Sequence, residues 1–134
     1  MTTSPLTPTS GCPKANGTIT FPLDNKTGQN VTDHGGAPLA FQTLCTTSYP
    51  VVSNQFTVSD IIHIYEPTLY DCIQACALFN NVQNVTRCAA VGFERFKGGY
   101  CYLKNTTLSD IRTAVNVTDG EVIDSAVIIP LDSL

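Results

Sequence analysis

The six cysteines of this 134-residue chain limit its fold more than any other feature. Their number is even, and an even set of cysteines in an oxidising compartment forms disulfides. A zinc site is a poor alternative because the chain has only two histidines and because Cys72 and Cys76 lack the usual Cys-x2-Cys spacing. We therefore expect three disulfides, no free catalytic thiol, no metal site and no cofactor.

Asn-x-Ser/Thr sequons give an independent sign of an oxidising compartment. Roughly two would arise by chance in a chain of this composition. The chain has six, at Asn16, Asn25, Asn30, Asn84, Asn105 and Asn116. We predict N-glycosylation at these six residues and a secreted, extracellular protein associated with a cell wall. No apolar stretch approaches the roughly 20 residues that a bilayer requires, so no membrane insertion is expected.

Charge and length exclude several other classes. The chain has seven basic and eleven acidic residues and no run of basic residues, so the sequence does not predict binding to nucleic acid. Only 13% of the residues are charged and 43% are hydrophobic, which is not the composition of a disordered chain. We expect a tail or arm rich in Thr, Ser and Pro at residues 1–11, whose first residues lack the features of a signal peptide. A single domain should follow at residues 12–134.

The clearest helix signal lies at residues 67–79. Leu69, Cys72, Ile73 and Cys76 have the spacing of one helical stripe. Thr68 and Asp71 are placed as in a capping box, and Asn80-Asn81 is a suitable end. The two cysteines therefore project from one helix face. Sulfurs one turn apart are better placed to bond a neighbouring element than each other.

The region after the helix predicts a β-hairpin. Residues 87–96 and 100–104 resemble strands, joined by a turn at Lys97-Gly98-Gly99. Each strand carries one cysteine, Cys88 or Cys101. The helix cysteines can pair with them in a nested arrangement or in the crossed one, Cys72–Cys88 with Cys76–Cys101, and spacing does not distinguish the two. Both arrangements leave Cys12 to pair with Cys45.

The remaining segments favour β structure. Strand-like runs occupy residues 18–21, 39–45 and 121–129, and residues 56–58 and 61–65 form two short strands or one strand and an extended lead into the helix. Residues 108–115 are ambiguous. The predicted fold class is α+β, with one central helix packed on an antiparallel sheet.

Four segments also resemble a known family. They are Thr-Leu-Tyr-Asp-Cys72-Ile-Gln-Ala-Cys76, Cys88-Ala-Ala-Val-Gly-Phe93, Gly99-Tyr-Cys101-Tyr-Leu-Lys104 and Asp124-Ser-Ala-Val-Ile128. Together they are similar to the PAN/apple domain in the form found in fungal extracellular proteins. The resemblance implies a central helix on a curved antiparallel sheet and the nested bonds Cys72–Cys101 and Cys76–Cys88. This chain departs from apple domains proper because no cysteine follows Cys101, which leaves Cys12–Cys45 as in shorter fungal variants.

The sequence offers no recognisable catalytic set. It contains no Gly-x-Ser-x-Gly elbow, no His-Glu-x-x-His motif and no phosphate-binding loop, so we do not expect an enzyme. His34 lies in a turn-like Asp-His-Gly-Gly segment, and His63 is expected on the outer face of a strand. Residues 24–28 only weakly resemble a calcium loop, because Lys26 occupies a ligand position.

Residues around the predicted hairpin form the best candidate for a ligand-contacting surface. Aromatic and charged side chains are concentrated there, a composition suited to binding. The candidates are Glu94, Arg95, Phe96, Lys97, Tyr100 and Tyr102. Considered one at a time, these residues also have purely structural interpretations. Phe93 would pack in the core, Tyr102 would pack on the helix, and Glu94 and Arg95 would lie at a solvated edge.

These observations predict a non-catalytic, secreted binding module. Its partner would be an extracellular protein or a polysaccharide, at a fungal cell surface according to the family resemblance. The alternative is a structural subunit that assembles with its own copies into a surface layer or fibre. In that case residues 1–10 would add to the sheet edge of a neighbouring copy.

Overall fold

The computed structural model describes residues 10–12, 14–32, 36–45, 47–48, 59–83, 88–94, 98–105, 115–116 and 123–129. One α-helix, α1 (Leu69–Gln83), lies within these ranges. The strands are β1 (Ile19–Thr20), β2 (Ala40–Leu44), β3 (Thr47–Ser48), β4 (Ser59–Tyr65), β5 (Ala90–Glu94), β6 (Tyr100–Asn105), β7 (Val115–Asn116) and β8 (Ile123–Ile129). The predicted run at residues 56–58 and most of the ambiguous segment 108–115 lie outside the described residues.

Six of the strands form one antiparallel sheet in the order β1-β2-β8-β5-β6-β4. β3 and β7 pair separately as a two-stranded sheet. The register places Phe41 of β2 opposite Ile128 of β8, and Phe93 of β5 opposite Asp124 of β8. The α+β class, with one helix on a six-stranded antiparallel sheet and three disulfides, is thereby confirmed.

The helix begins where the sequence predicts. The backbone N–H of Asp71 donates to Thr68 Oγ1 at 3.0 Å, which satisfies one of the free donors of the first turn. The reciprocal bond differs from that of a capping box, because the Thr68 hydroxyl itself donates to Asp71 Oδ2 at 2.7 Å. Asp71 also places a negative charge in the first turn, where the helix dipole favours it.

The predicted helix end at Asn80-Asn81 is wrong, because the helix continues to Gln83. Asn80 is buried and its side chain is engaged elsewhere. Its Nδ2 donates to the Cys88 carbonyl at 2.7 Å, and its Oδ1 accepts from the Cys88 N–H at 2.7 Å. Asn80 thus bonds the chain that returns toward β5 instead of ending the helix.

The main core lies between α1 and one face of the sheet. Helix residues at the predicted spacing pack there against inward-facing residues of β2, β5, β6 and β8. Phe41 and Phe93 are the largest fully buried side chains among the described residues, which confirms Phe93 as a core residue. The other core members include Leu69, Cys72, Ile73, Cys76, Ala77, Val91, Cys101, Leu103 and Ala126.

Three disulfides connect this core. Cys72–Cys101 joins α1 to β6, Cys76–Cys88 joins α1 to the segment before β5, and Cys12–Cys45 joins the N-terminal segment to the end of β2. The first two are the nested pairs that the family resemblance implies, the third is the pair that remains, and the crossed arrangement is not formed. Parallel bonds one helical turn apart hold α1 against the hairpin.

The N-terminal segment is also attached to the sheet by Ser10, which falls inside the predicted tail or arm. Ser10 Oγ donates to Asp124 Oδ2 in β8 and accepts from the Cys12 N–H at 3.2 Å. Asp124 is fully buried. A buried carboxylate requires such donors, so Ser10 contributes to the interior of the domain.

Candidate functional site

The candidate site lies on the outer face of the sheet, opposite α1. β4 and β6 pair so that His63 stands opposite Tyr102 and Tyr65 stands opposite Tyr100. The alternating residues Ile64, Cys101 and Leu103 pack in the core on the other face. Because side chains alternate along a strand, the four aromatic rings share the outer face. We call His63, Tyr65, Tyr100 and Tyr102 the aromatic surface.

The rings of the aromatic surface contact one another. His63 stacks on Tyr100 with 4.9 Å between ring centroids and 24° between planes. Tyr65 meets Tyr100 edge-on at 4.9 Å and 80°, and Tyr102 lies 4.8 Å from Tyr100. Tyr65 is 66% exposed, the largest fraction among the exposed large hydrophobic residues described. The result is a preformed cluster of rings with one ring largely open to solvent.

Two neighbouring residues, Lys104 and Gly92, help to position Tyr102 in this cluster. Lys104 Nζ lies 5.3 Å from the centroid of the Tyr102 ring, within range of a cation–π interaction. Lys104 is only 5% exposed, so its alkyl chain is covered. A Cβ at Gly92 would lie 3.4 Å from Lys104 Cε, so the absence of a side chain at Gly92 gives Lys104 its room. Lys104 therefore positions Tyr102 and does not itself present a charge to a ligand.

The structure brings together two of the six predicted ligand-contacting residues, Tyr100 and Tyr102. Tyr102 lies on the outer face of the sheet, so the alternative prediction that it packs on the helix is wrong. Glu94 faces the same side, but it is 6% exposed, so its assignment to an exposed contact surface or a solvated edge is corrected. Its position in β5, between β8 and β6, explains this burial. Arg95, Phe96 and Lys97 lie outside the described residues, as does His34.

Two members of the aromatic surface, His63 and Tyr65, are absent from the predicted set of contact residues. The alternation in β4 does predict that His63 faces outward, and His63 is exposed. The missing information is the pairing of β4 with β6 across the intervening helix and strand. Alternating outward aromatic residues on two strands are the signal that indicates such a surface once their register is known.

Glu66 directly follows the aromatic surface in the chain. Its N–H donates to the Gly99 carbonyl at 2.9 Å, which holds the junction of β4 and α1 against the turn before β6. Burial raises the pKa of the Glu66 carboxyl, and the nearby Asp71 carboxylate raises it further. Ionised Glu66 is therefore destabilising for the folded state.

We expect Glu66→Gln to raise the melting temperature at pH 7. Between the unfolded pKa of about 4.3 and the raised folded pKa, the folded chain binds more protons, so native stability falls as pH rises through this window. Below the window both states are protonated, and the advantage of the amide should disappear. Thermal unfolding of both proteins at pH 3 and pH 7 tests this. An equal difference at the two pH values would contradict it.

One group of potential metal ligands occurs among the described residues. Atoms of Cys12, Cys45 and Asp124 lie within 4.8 Å of one another. Cys12 and Cys45 are joined in a disulfide, so their sulfurs are not thiolate donors. The Asp124 carboxylate accepts from Ser10. We interpret this group as part of the disulfide-linked interior.

Three of the six sequons have described side chains, and all three asparagines are exposed: Asn16, Asn25 and Asn30. Asn16 Oδ1 accepts from the Cys45 N–H at 2.9 Å, and Asn25 Oδ1 accepts from Gln74 Nε2 at 2.8 Å. Asn105 and Asn116 lie in β6 and β7, while Asn84 is outside the described residues.

Comparisons with protein-family models, with curated proteins and with solved structures give no match for this chain. The fold and the site together define a disulfide-linked α+β domain with an aromatic surface on the outer face of its sheet. α1, the helix of the described region, has 15 residues and is too short to span a bilayer.

Proposed function

We propose that the chain is a non-catalytic extracellular binding module that contacts a protein or polysaccharide partner through the aromatic surface. The observation that carries this proposal is the contact of His63, Tyr65 and Tyr100 on an outer strand pair, with Tyr65 66% exposed. The family resemblance supports a fungal cell surface as its place of action.

The chemistry of the rings suits this role. Tyrosine offers a large contact area and a hydroxyl group at a small cost in conformational entropy. The apolar face of a sugar ring or of a partner side chain can pack on such rings while the hydroxyls form hydrogen bonds. Because Tyr100 is already in contact with both His63 and Tyr65, little ordering is required on binding.

The disulfides and sequons support an extracellular location. Bonds such as Cys76–Cys88 persist in oxidising compartments, and the six sequons suit a secreted glycoprotein. All six cysteines are paired, so none supplies a thiol nucleophile. This agrees with the absence of catalytic motifs from the sequence.

We expect Tyr65→Ala to weaken partner binding at least tenfold, about 1.4 kcal/mol, because exposed aromatic anchors dominate the energy of such contacts. Binding would be measured on glycan arrays, immobilised cell-wall polysaccharides and cell-wall proteins. Ile62→Ala is the matched control, because Ile62 is 44% exposed on the same strand, but it stands opposite the core residue Leu103 on the other face of the sheet.

Two results would contradict this proposal. One is the absence of binding to every polysaccharide and wall protein tested. The other is equal binding by the Tyr65→Ala protein and the unsubstituted protein. Because Tyr65 is 66% exposed, its replacement should leave the melting temperature nearly unchanged, which separates lost binding from lost folding.

A self-assembling structural subunit is the second candidate. β4 is an outermost strand of the described six-stranded sheet, and it carries the exposed side chains Ile62 and Tyr65. An exposed edge strand can accept a strand from another copy. Size-exclusion chromatography and electron microscopy distinguish the candidates. Self-assembly requires oligomers that are lost when residues 1–9 are deleted, a deletion that keeps Ser10 and its hydrogen bond to Asp124.

A further inference from the structure

Two residues with exposed apolar side chains, Leu23 and Tyr70 of α1, lie next to each other. Leu23 is 40% exposed and Tyr70 is 39% exposed. We call Leu23 and Tyr70 the apolar patch.

Hydrogen bonds fix this patch against α1. Tyr70 Oη accepts from the Leu23 N–H at 3.2 Å. Gln74, one turn further along the helix, donates from Nε2 to the Leu23 carbonyl and, at 2.8 Å, to Asn25 Oδ1. The amide of Asn25 is therefore held next to Leu23 by the same helix that presents Tyr70.

Asn25 begins the sequon Asn25-Lys26-Thr27 in a defined turn. The Lys26 N–H donates to Asp24 Oδ1 at 2.8 Å, and the Gly28 N–H donates to the Asp24 carbonyl at 2.8 Å. All three sequon residues are exposed. A glycan attaches through Nδ2 and leaves Oδ1 as an acceptor, so the bond to Gln74 is compatible with the modification.

We infer that an N-linked glycan on Asn25 packs its first sugar residue on Leu23 and Tyr70 and covers the apolar patch. Transfer forms a bond from Asn25 Nδ2 to the anomeric carbon and breaks the bond from that carbon to the diphosphate of a lipid-linked oligosaccharide. The lipid diphosphate leaves, and the amide loses one proton. The inference rests on the proposed extracellular location but not on the aromatic surface or its partner.

A glycan on Asn25 accounts for the exposure of the apolar patch in the protein chain. Apolar side chains around a tightly hydrogen-bonded loop would lose contact with water beneath a sugar ring. Asn30 is the competing attachment site, since it stands opposite Leu23 in an antiparallel bridge. Asn25 is favoured because Gln74 on α1 fixes its amide beside the patch.

The test uses the full chain secreted from a eukaryotic host, with glycopeptide mass spectrometry at Asn25. Thr27→Ala removes the sequon, and Thr27→Ser is its control, because serine keeps both the sequon and the hydroxyl that accepts from the Gln29 N–H. We expect Thr27→Ala to melt about 2–5 °C lower than Thr27→Ser. Trimming each glycan to its first sugar should leave the melting temperature within about 1 °C.

A double-mutant cycle identifies the contact. Tyr70→Ala should lower the melting temperature more in the glycosylated background than in the Thr27→Ala background, because the loss of the Leu23 hydrogen bond is common to both. Thr32→Ala, which removes the sequon at Asn30, should show no such coupling. An unmodified Asn25, equal melting of the two Thr27 variants, or coupling that follows Thr32→Ala would overturn the inference.

Discussion

Replacing Cys72 and Cys101 together by alanine is expected to lower the free energy of unfolding by about 3–4 kcal/mol. Their bond closes a loop with a sequence separation of 29, and its loss releases conformational entropy in the unfolded chain. Both residues are fully buried in the core, so the replacement also removes packed sulfur atoms. Urea denaturation under non-reducing conditions measures the change.

The pair Cys12 and Cys45 provides a matched control for this experiment. Its sequence separation is 33, so the chain-entropy contribution should be nearly the same. Neither cysteine is fully buried, and less packing is lost. We expect the double alanine variant of Cys72 and Cys101 to be less stable than this control by about 1 kcal/mol or more. An equal or greater loss in the control would show that the core bond has no additional packing role.

Asn80→Ala is expected to destabilise the domain by about 2–4 kcal/mol. The Asn80 side chain satisfies both the N–H and the carbonyl of Cys88, each at 2.7 Å. Asn80 is 5% exposed and Cys88 is fully buried, so water cannot replace these bonds without local opening. Urea denaturation measures the loss, and a change below about 0.5 kcal/mol would contradict the assigned role.

Asn80→Asp separates the two hydrogen bonds. The carboxylate can still accept from the Cys88 N–H, but it faces the Cys88 carbonyl without a proton to donate. Burial and the facing carbonyl raise the folded-state pKa of this carboxyl above the unfolded value of about 3.9, so the variant should recover stability relative to the unsubstituted protein as pH falls toward that value. Asn80→Ala should show no such recovery. The same pH response in both variants would contradict the paired-bond arrangement.

Local patterns in the sequence predict the helix and the hairpin well. The stripe through Leu69, Cys72, Ile73 and Cys76 becomes the buried face of α1, and the runs around Gly98-Gly99 become β5 and β6. Gly98 and Gly99 have φ values of 76° and 83°, a conformation that glycine adopts without strain. These features depend on residues near one another in the chain.

Long-range pairing is what the sequence does not predict. β8 lies between β2 and β5, and β4 pairs with β6 across α1 and β5, although no local pattern specifies either choice. The aromatic surface depends on the second pairing, which places His63 opposite Tyr102. The helix end also differs from the predicted one, because the Asn80 side chain hydrogen-bonds the backbone of Cys88. Tertiary contacts decide all three features.

The central position of β8 also determines the order in which the domain can be completed during synthesis. All six cysteines precede β8, so α1, the β5–β6 hairpin and every sulfur emerge from the ribosome before the strand that joins β2 to β5. Until β8 arrives, β2 and β5 each present an unpaired edge that can associate with another nascent chain. The interval before β8 pairs is therefore the period of greatest aggregation risk, and binding of a folding factor to these two edges would protect the chain most effectively then.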